Sequence, residues 1–282
     1  MDFGLDPAIL QFLAAPVAAS LIIVGIHAYL GLHVVERGVI FVDLSLAQIA
    51  SLGATIAVLV PTLGGEPHSA GVYWMSLLFT LVGALIFAFV KSHRAKIPQE
   101  AIIGITYAVA SAAVIVVMSK APGEAEHLRD MLVGNILSVQ WSEVWLTAAV
   151  YSVIAAFHYV FRRRFLEISI HPVEARARGV SVRFWDFLFY ASFGLVVTRS
   201  VAIAGVLLVF CYLIVPSVAG MLFASRIGPR LSIAWAMGAF VSMLGMYFSV
   251  VFDLPTGATI VCTFGVVLTV MAVARQLLLG RL

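Results

Sequence analysis

Eight long runs of apolar sequence without a single Asp, Glu, Lys or Arg leave this chain little choice of solvent. They extend from Ala8 to Leu32, Leu44 to Val60, Val72 to Val90, Ala101 to Met118, Val144 to Phe161, Val201 to Val215, Leu231 to Phe252 and Ala258 to Ala274. A helix rises about 1.5 Å per residue, so roughly 20 apolar residues cross the ~30 Å hydrocarbon core of a bilayer. Most of these runs are long enough to do so. Only 11% of the residues are charged and 62% are hydrophobic, whereas a soluble domain carries about 25% charged residues and would scatter them through such runs. The expected fold class is therefore all-α, a polytopic membrane protein of eight to nine transmembrane helices forming a single transmembrane domain over residues 1–282.

The number of spans turns on a ninth, shorter run from Phe184 to Thr198, which carries Asp186 near its start. Charge on the connecting segments decides it. With the N-terminus outside and nine crossings, fourteen of the 17 basic residues fall on one side: Arg37, the three in 91–96, the six from Arg162 to Arg183, then Arg226, Arg230, Arg275 and Arg281. Lys120, Arg129 and Arg199 fall on the other. The positive-inside rule assigns the larger set to the cytoplasm. The basic segments before and after the weak run must both be inside, so two crossings intervene, turning near Arg199 and Ser200. The sequence thus predicts nine spans, N-terminus outside and C-terminus in the cytoplasm, in a bacterial inner membrane.

Several function classes drop out on the same grounds. The net charge of +3 sits in short gaps between apolar runs, as membrane topology requires, and does not form a nucleic-acid surface. Cys211 and Cys262 lie inside apolar runs with no CxxC or Cys/His spacing, so they read as packing residues. Asp2 and Asp6 stand where a cleaved signal peptide would have a basic region, so the first span is expected to be retained. The chain contains no GxxxxGK[ST] phosphate loop, no HExxH and no Ser/His or paired-Asp constellation. An intramembrane enzyme is therefore disfavoured, and ATP-driven work would require a separate ATPase subunit.

Polar side chains inside spans are costly and mark pathways. In the second run Ser45, Gln48, Ser51 and Thr55 recur at spacings of three, three and four, which places them on one arc of a helix. That arc suits a pore lining, although Ser and Thr also bond back to their own helix. Asp43 opens this span, where a carboxylate either binds a cation or stabilises the positive end of the helix dipole. His27, in the first span, is a candidate metal ligand or proton acceptor. His33 and His158 lie nearer the cytoplasmic boundary. Pro216 interrupts an over-long run and predicts a break in the helix, leaving Ser217 to Ala224 as a short surface helix followed by Arg226, Gly228, Pro229 and Arg230. A second cytoplasmic helix is predicted over 171–180, carrying Glu174 and ended by Gly179. Segments 171–180 and 217–230 are candidate docking elements for an ATPase.

These residues also carry a resemblance. Gly31-Leu-His-Val-Val-Glu-Arg-Gly38 with Ala47-Gln-Ile-Ala-Ser-Leu-Gly53, Gln99-Glu-Ala-Ile-Ile-Gly104, Met131-Leu-Val-Gly-Asn-Ile-Leu137, Pro172-Val-Glu-Ala-Arg-Ala-Arg-Gly-Val180, Gly205 to Pro216 and Asp253 to Val261 follow one another in the order found in the zinc/manganese-type permeases of bacterial ABC importers. The resemblance runs nearly end to end. It implies a homodimeric permease in membrane lipid, paired with an ABC ATPase that binds ATP and with an extracellular or periplasmic solute-binding protein. It also implies a divalent metal ion as cargo and no permanently bound cofactor. The binding protein would dock on the outer acids Glu66, Glu124, Glu126, Asp130 and Asp253.

The chain departs from that family at the point that matters most for cargo. The family's second-helix signature has an Asp followed four residues later by a His. Here the His position is Gln48 and the Asp position is Leu44, with Asp43 one residue out of register. An amide is a poorer ligand for zinc or manganese than imidazole. Two alternatives stay open: an altered site built from Asp43, Gln48 and His27, or a chelate cargo such as a siderophore, haem or cobalamin. An ATP-independent secondary carrier would be expected to show internal repeats and charged midplane residues, and neither is evident.

Overall fold

A computed structural model describes residues 7–60, 69–90, 98–119 and 134–279. Among these the regular structure is helical: α1 Pro7–Arg37, α2 Val42–Leu59, α3 Ala70–Val90, α4 Gln99–Met118, α5 Trp141–Val160, α6 Arg162–Ile170, α7 Pro172–Ala177, α8 Val182–Ala204, α9 Val206–Phe223, α10 Ile227–Phe252 and α11 Thr256–Leu279, with a 3₁₀ turn at Ile136–Ser138. Nine of the described helices, all but α6 and α7, are long and apolar enough to span a bilayer. Helices satisfy every backbone donor and acceptor within one segment, which hydrocarbon demands because it offers no partner. The nine-span reading therefore holds, including the weak span with Asp186.

Two boundaries differ from the sequence reading. The turn expected at Arg199 and Ser200 comes instead at Gly205, and α8 runs through both residues to Ala204. Gly205 has φ 77°, a left-handed conformation that costs glycine nothing and other residues strain. A charged residue does not end a helix; the residue that tolerates the turn does. The break predicted at Pro216 is likewise absent. Val206 to Phe223 is one helix with Pro216 buried inside it, so Ser217 to Ala224 is not a separate surface helix. Proline forfeits one helical hydrogen bond, but breaking the helix within hydrocarbon would expose several backbone groups at several kcal/mol each. Continuing costs less.

The chain divides into two compact units, with α1, α5 and α8 each beginning in one and ending in the other. One unit comprises Met1–Leu32, Asp130–Ala155 and Ala202–Leu282. Within it α9 packs against α10 and α11, and α10 against α11. Glycines make these approaches close: a Cβ at Gly31 would meet the Leu213 carbonyl and Ser217 Oγ, one at Gly238 would meet Val24, and one at Gly245 would meet the Ile260 backbone at 2.7 Å. Apolar surface drives no association within lipid, so contact of small residues and buried hydrogen bonds hold such helices together. Tyr212 donates to Ser20 Oγ at 3.0 Å, and Ser217 Oγ shares its proton between the Leu213 carbonyl of its own helix at 2.8 Å and the Ala28 carbonyl at 3.2 Å.

The other unit comprises His33–Arg129 and Ala156–Val201. Here α2 packs against α3 and α4. The predicted helix over 171–180 is present as α7, and it ends as the sequence requires. Gly179 at φ 79° donates its N–H to the Arg176 carbonyl at 2.9 Å, and Val180 donates to the Ala175 carbonyl at 3.0 Å. This paired closure is a Schellman cap. It folds Val180 onto a small core of Ile168, Ala175 and Val182. A Cβ at Gly179 would meet no neighbour, so Gly179→Ala tests the backbone alone. It should cost about 1 kcal/mol, read as a lowered thermal midpoint of the purified protein.

Candidate functional site

α2 carries every polar residue assigned to the pathway except His27. Asp43, Ser45, Gln48, Ser51 and Thr55 are all buried, none more than 8% exposed. Thr55 donates back to the Ser51 carbonyl at 2.8 Å, so that hydroxyl is satisfied within its own helix. The first turn is different. Both carboxylate oxygens of Asp43, and Ser45 Oγ, are buried with no hydrogen-bond partner among the described residues. Burying an isolated carboxylate is among the most costly arrangements a membrane protein can adopt. Such a group points to something that arrives: a cation or a proton.

A second carboxylate shares the helix-dipole role open to Asp43. Glu100, at the start of α4, accepts the Phe41 N–H through Oε1 at 3.0 Å, placing a carboxylate at the N-terminus of α2 where the free donors and the dipole favour it. Its neighbour Gln99 donates from Nε2 to the Phe87 carbonyl and to Tyr190 Oη, each at 3.1 Å. The Gln-Glu pair thereby ties the start of α4 to α3, α8 and the turn before α2. The Gln99-Glu100 motif was visible in the sequence; its role as an anchor was not.

His27 belongs to the unit that holds the N-terminal part of α1. Its ring is fully buried, and Nδ1 lies 2.9 Å from the Ile23 carbonyl. A carbonyl can only accept, so Nδ1 carries the proton and Nε2 presents a lone pair. Nε2 has no partner among the described residues, the state of an imidazole available to a metal. His33 and His158 are engaged with their surroundings: His33 Nδ1 lies 2.9 Å from Ser169 Oγ, and His158 Nε2 lies 2.8 Å from Ser192 Oγ with its ring stacked on Phe165. Among the described residues no three His, Cys, Asp or Glu side chains gather as a ready-made metal site.

The candidate coupling residues lie on two elements. Glu174 is 67% exposed on α7, near Arg178 and His171, and Gly179 forms the cap that ends that helix. In the other unit, Arg226 precedes α10 and Arg230 lies in its second turn, donating from Nε to the Ala224 carbonyl at 3.0 Å. Arg230 thus closes the turn between α9 and α10, while Pro216 sits within the α9 span. Of the acids the sequence predicts to lie outside, Asp253 is exposed in the turn before α11, which Ser249 closes through Leu254 and Thr256. Glu66, Glu124, Glu126 and Asp130 lie outside the described residues, as does the start of the Met131 to Leu137 motif.

Residues 9–276, nearly the whole chain, match the ABC 3 transport family. The chain belongs to that family. It is accordingly a membrane-spanning protein of that transport family. Its relatives include the manganese transport system membrane protein MntC of Listeria innocua, 30% identical over 183 residues that cover 65% of each chain. A probable iron transport system membrane protein of Haemophilus influenzae is 26% identical over 92% of each. The fold is also that of PsaBC from Streptococcus pneumoniae, solved in complex with Fab, with a TM-score of 0.75 at 23% identity, covering 93% of this chain and 92% of that one. The alignment with the Listeria relative spans just under two thirds of that protein's length.

Proposed function

We propose that this member of the ABC 3 transport family imports a divalent transition metal ion, with Asp43 as a contact point for the ion and Gln48, Ser45, Ser51 and Thr55 lining the route along α2. The observation that carries the reading is the fully buried Asp43 carboxylate, whose oxygens find no partner among the described residues. The names of the manganese and iron relatives support the same class of cargo. A dication cannot enter hydrocarbon bare, so it needs charged or strongly polar contacts along its route, weak enough to release it. Asp43 supplies charge; His27, in the other unit, is a separate candidate ligand whose Nε2 lone pair has the softness that manganese, iron and zinc accept. Gln48 in place of an imidazole keeps binding weak.

The working unit is a homodimer in the bacterial inner membrane, each protomer a single permease domain with its N-terminus outside and its C-terminus in the cytoplasm. An ATPase dimer docks on α7 and on the turn closed by Arg226 and Arg230, and an outer binding protein delivers the ion on the side of Asp253. The basic residues of the segments around α6 and α7 support this orientation. The deciding experiment is uptake into vesicles holding this protein with its ATPase and binding protein, offering manganese, iron and zinc with and without ATP. ATP-dependent accumulation of one free ion is expected. Stimulated ATP hydrolysis with no uptake of any free ion would move the cargo to a chelate, and failure to associate with an ATPase would overturn the reading.

A further inference from the structure

One polar cluster plays no part in contacting cargo, and it lies where α1, α6 and α8 meet within a single unit. Arg37, the last residue of α1, reaches Asp186 Oδ1 through Nη1 at 2.6 Å, with both side chains 1% exposed. Its Nε donates to Ser169 Oγ on α6 at 2.9 Å, and its guanidinium stacks 4.0 Å from the centre of the Phe189 ring on α8. One turn earlier on α1, His33 Nδ1 lies 2.9 Å from the same Ser169 oxygen.

The hydrogen-bond accounting at Ser169 is complete. A hydroxyl has one proton and two lone pairs. Ser169 gives its proton to the Phe165 carbonyl at 2.8 Å, so its lone pairs receive Arg37 Nε–H and His33 Nδ1–H. Ser169 is the penultimate residue of α6, whose neighbour Ile168 forms the small core with Ala175 of α7 and Val182 of α8, against which Val180 and Trp185 pack. The exposed helix α7, the capped turn after it and the polar cluster therefore form one continuous solid body.

We propose that Arg37, held by Asp186 and Ser169, is a positioning residue that carries displacement of the α6–α7 hairpin into α1 and α8. The proposal rests on the importer reading, in which the ATPase docks on α7. A buried ion pair is a poor device for stability, since well-packed apolar residues of similar volume serve as well or better. What it adds is direction. Three charge-assisted or saturated hydrogen bonds and a stacked ring admit one geometry, whereas apolar side chains can slide past one another, and packed helices pass motion on only through contacts that switch between discrete arrangements.

The test uses the assembled transporter in vesicles, with manganese as the probe, and reads ions accumulated per ATP hydrolysed. Two variants are compared with the wild type. The double substitution Arg37→Met with Asp186→Leu removes the pair but leaves no orphan charge, and Ser169→Ala cuts the link to α6 while retaining the pair. In both, ATP hydrolysis is expected to stay within about twofold of wild type and the ratio to fall at least fivefold. A purely structural role would lower the amount of assembled complex and leave the ratio of what assembles unchanged. An unchanged ratio in either variant that assembles overturns the proposal, and Ser169→Ala decides it if the double variant does not fold. Absence of ATP-dependent uptake by the wild type would instead overturn the importer reading, and the joint with it.

Discussion

Asp43→Asn should cut metal uptake by about tenfold or more, the loss expected when an ion gives up about 1.4 kcal/mol of contact energy, while leaving the protein at least as stable as wild type. The two halves of that result have one cause. The Asp43 oxygens are buried with no partner among the described residues, so the carboxylate opposes folding and the near-isosteric amide, which carries no charge, relieves it. The same substitution removes the charge that a passing dication needs. Stability is read as the midpoint of denaturant-induced unfolding and uptake as initial rate in vesicles. Loss of uptake with gained or equal stability is the signature of a residue kept for function at a cost to the fold. If stability falls instead and uptake per folded molecule is unchanged, Asp43 is a structural residue and the route lies elsewhere.

The second large effect concerns stability alone. Asp186→Ala leaves Arg37 buried without its carboxylate, and uncompensated buried charge costs about 3–5 kcal/mol. With 2.6 Å between Nη1 and Oδ1 and both side chains 1% exposed, bulk solvent does not reach the charge that the lost partner leaves behind. The double Arg37→Met/Asp186→Leu variant should recover most of that loss, because each substitution removes a charge the other would strand. Unfolding midpoints for Arg37→Met, Asp186→Leu and the double variant form a cycle that isolates the pair. A loss below about 1 kcal/mol for Asp186→Ala, typical of exposed pairs, would mean that the site admits solvent.

These two carboxylates show where sequence reading reaches and where it stops. Uncharged length sufficed to find eight of the spans, because hydrocarbon imposes one constraint that each run meets by itself; the ninth needed the charge of its flanking segments. Asp186 counted against its span while its partner was unknown; Arg37 is 149 residues away, and nothing local joins them. Arg199 drew the predicted turn toward itself because charge reads as loop, yet it stays half-buried within α8 and the turn waits for Gly205. Pro216 misled in the same way: local propensity favours a break, and the solvent overrides it. The α2 stripe was legible as a stripe, since spacing fixes the face; all of its residues are buried, as are Leu46, Ala47 and Ala50 at other positions of the helix. Which of its atoms lack partners depends on the packing of α3 and α4 and on Glu100 reaching the turn before α2, none of which spacing encodes.

The close glycine contacts in the unit built on α9, α10 and α11 bear on how variation in this protein should be interpreted. Gly31, Gly238 and Gly245 each face a neighbour that an added methyl group would strike, and in lipid no hydrophobic reward compensates for the lost fit. A deep mutational scan would therefore return its sharpest intolerance at these glycines, above the residues proposed to touch the ion. Ranking positions by how few substitutions they accept would map the carpentry of this half of the protein and miss the cargo; selection under metal limitation, compared with selection for folded yield, would separate the two.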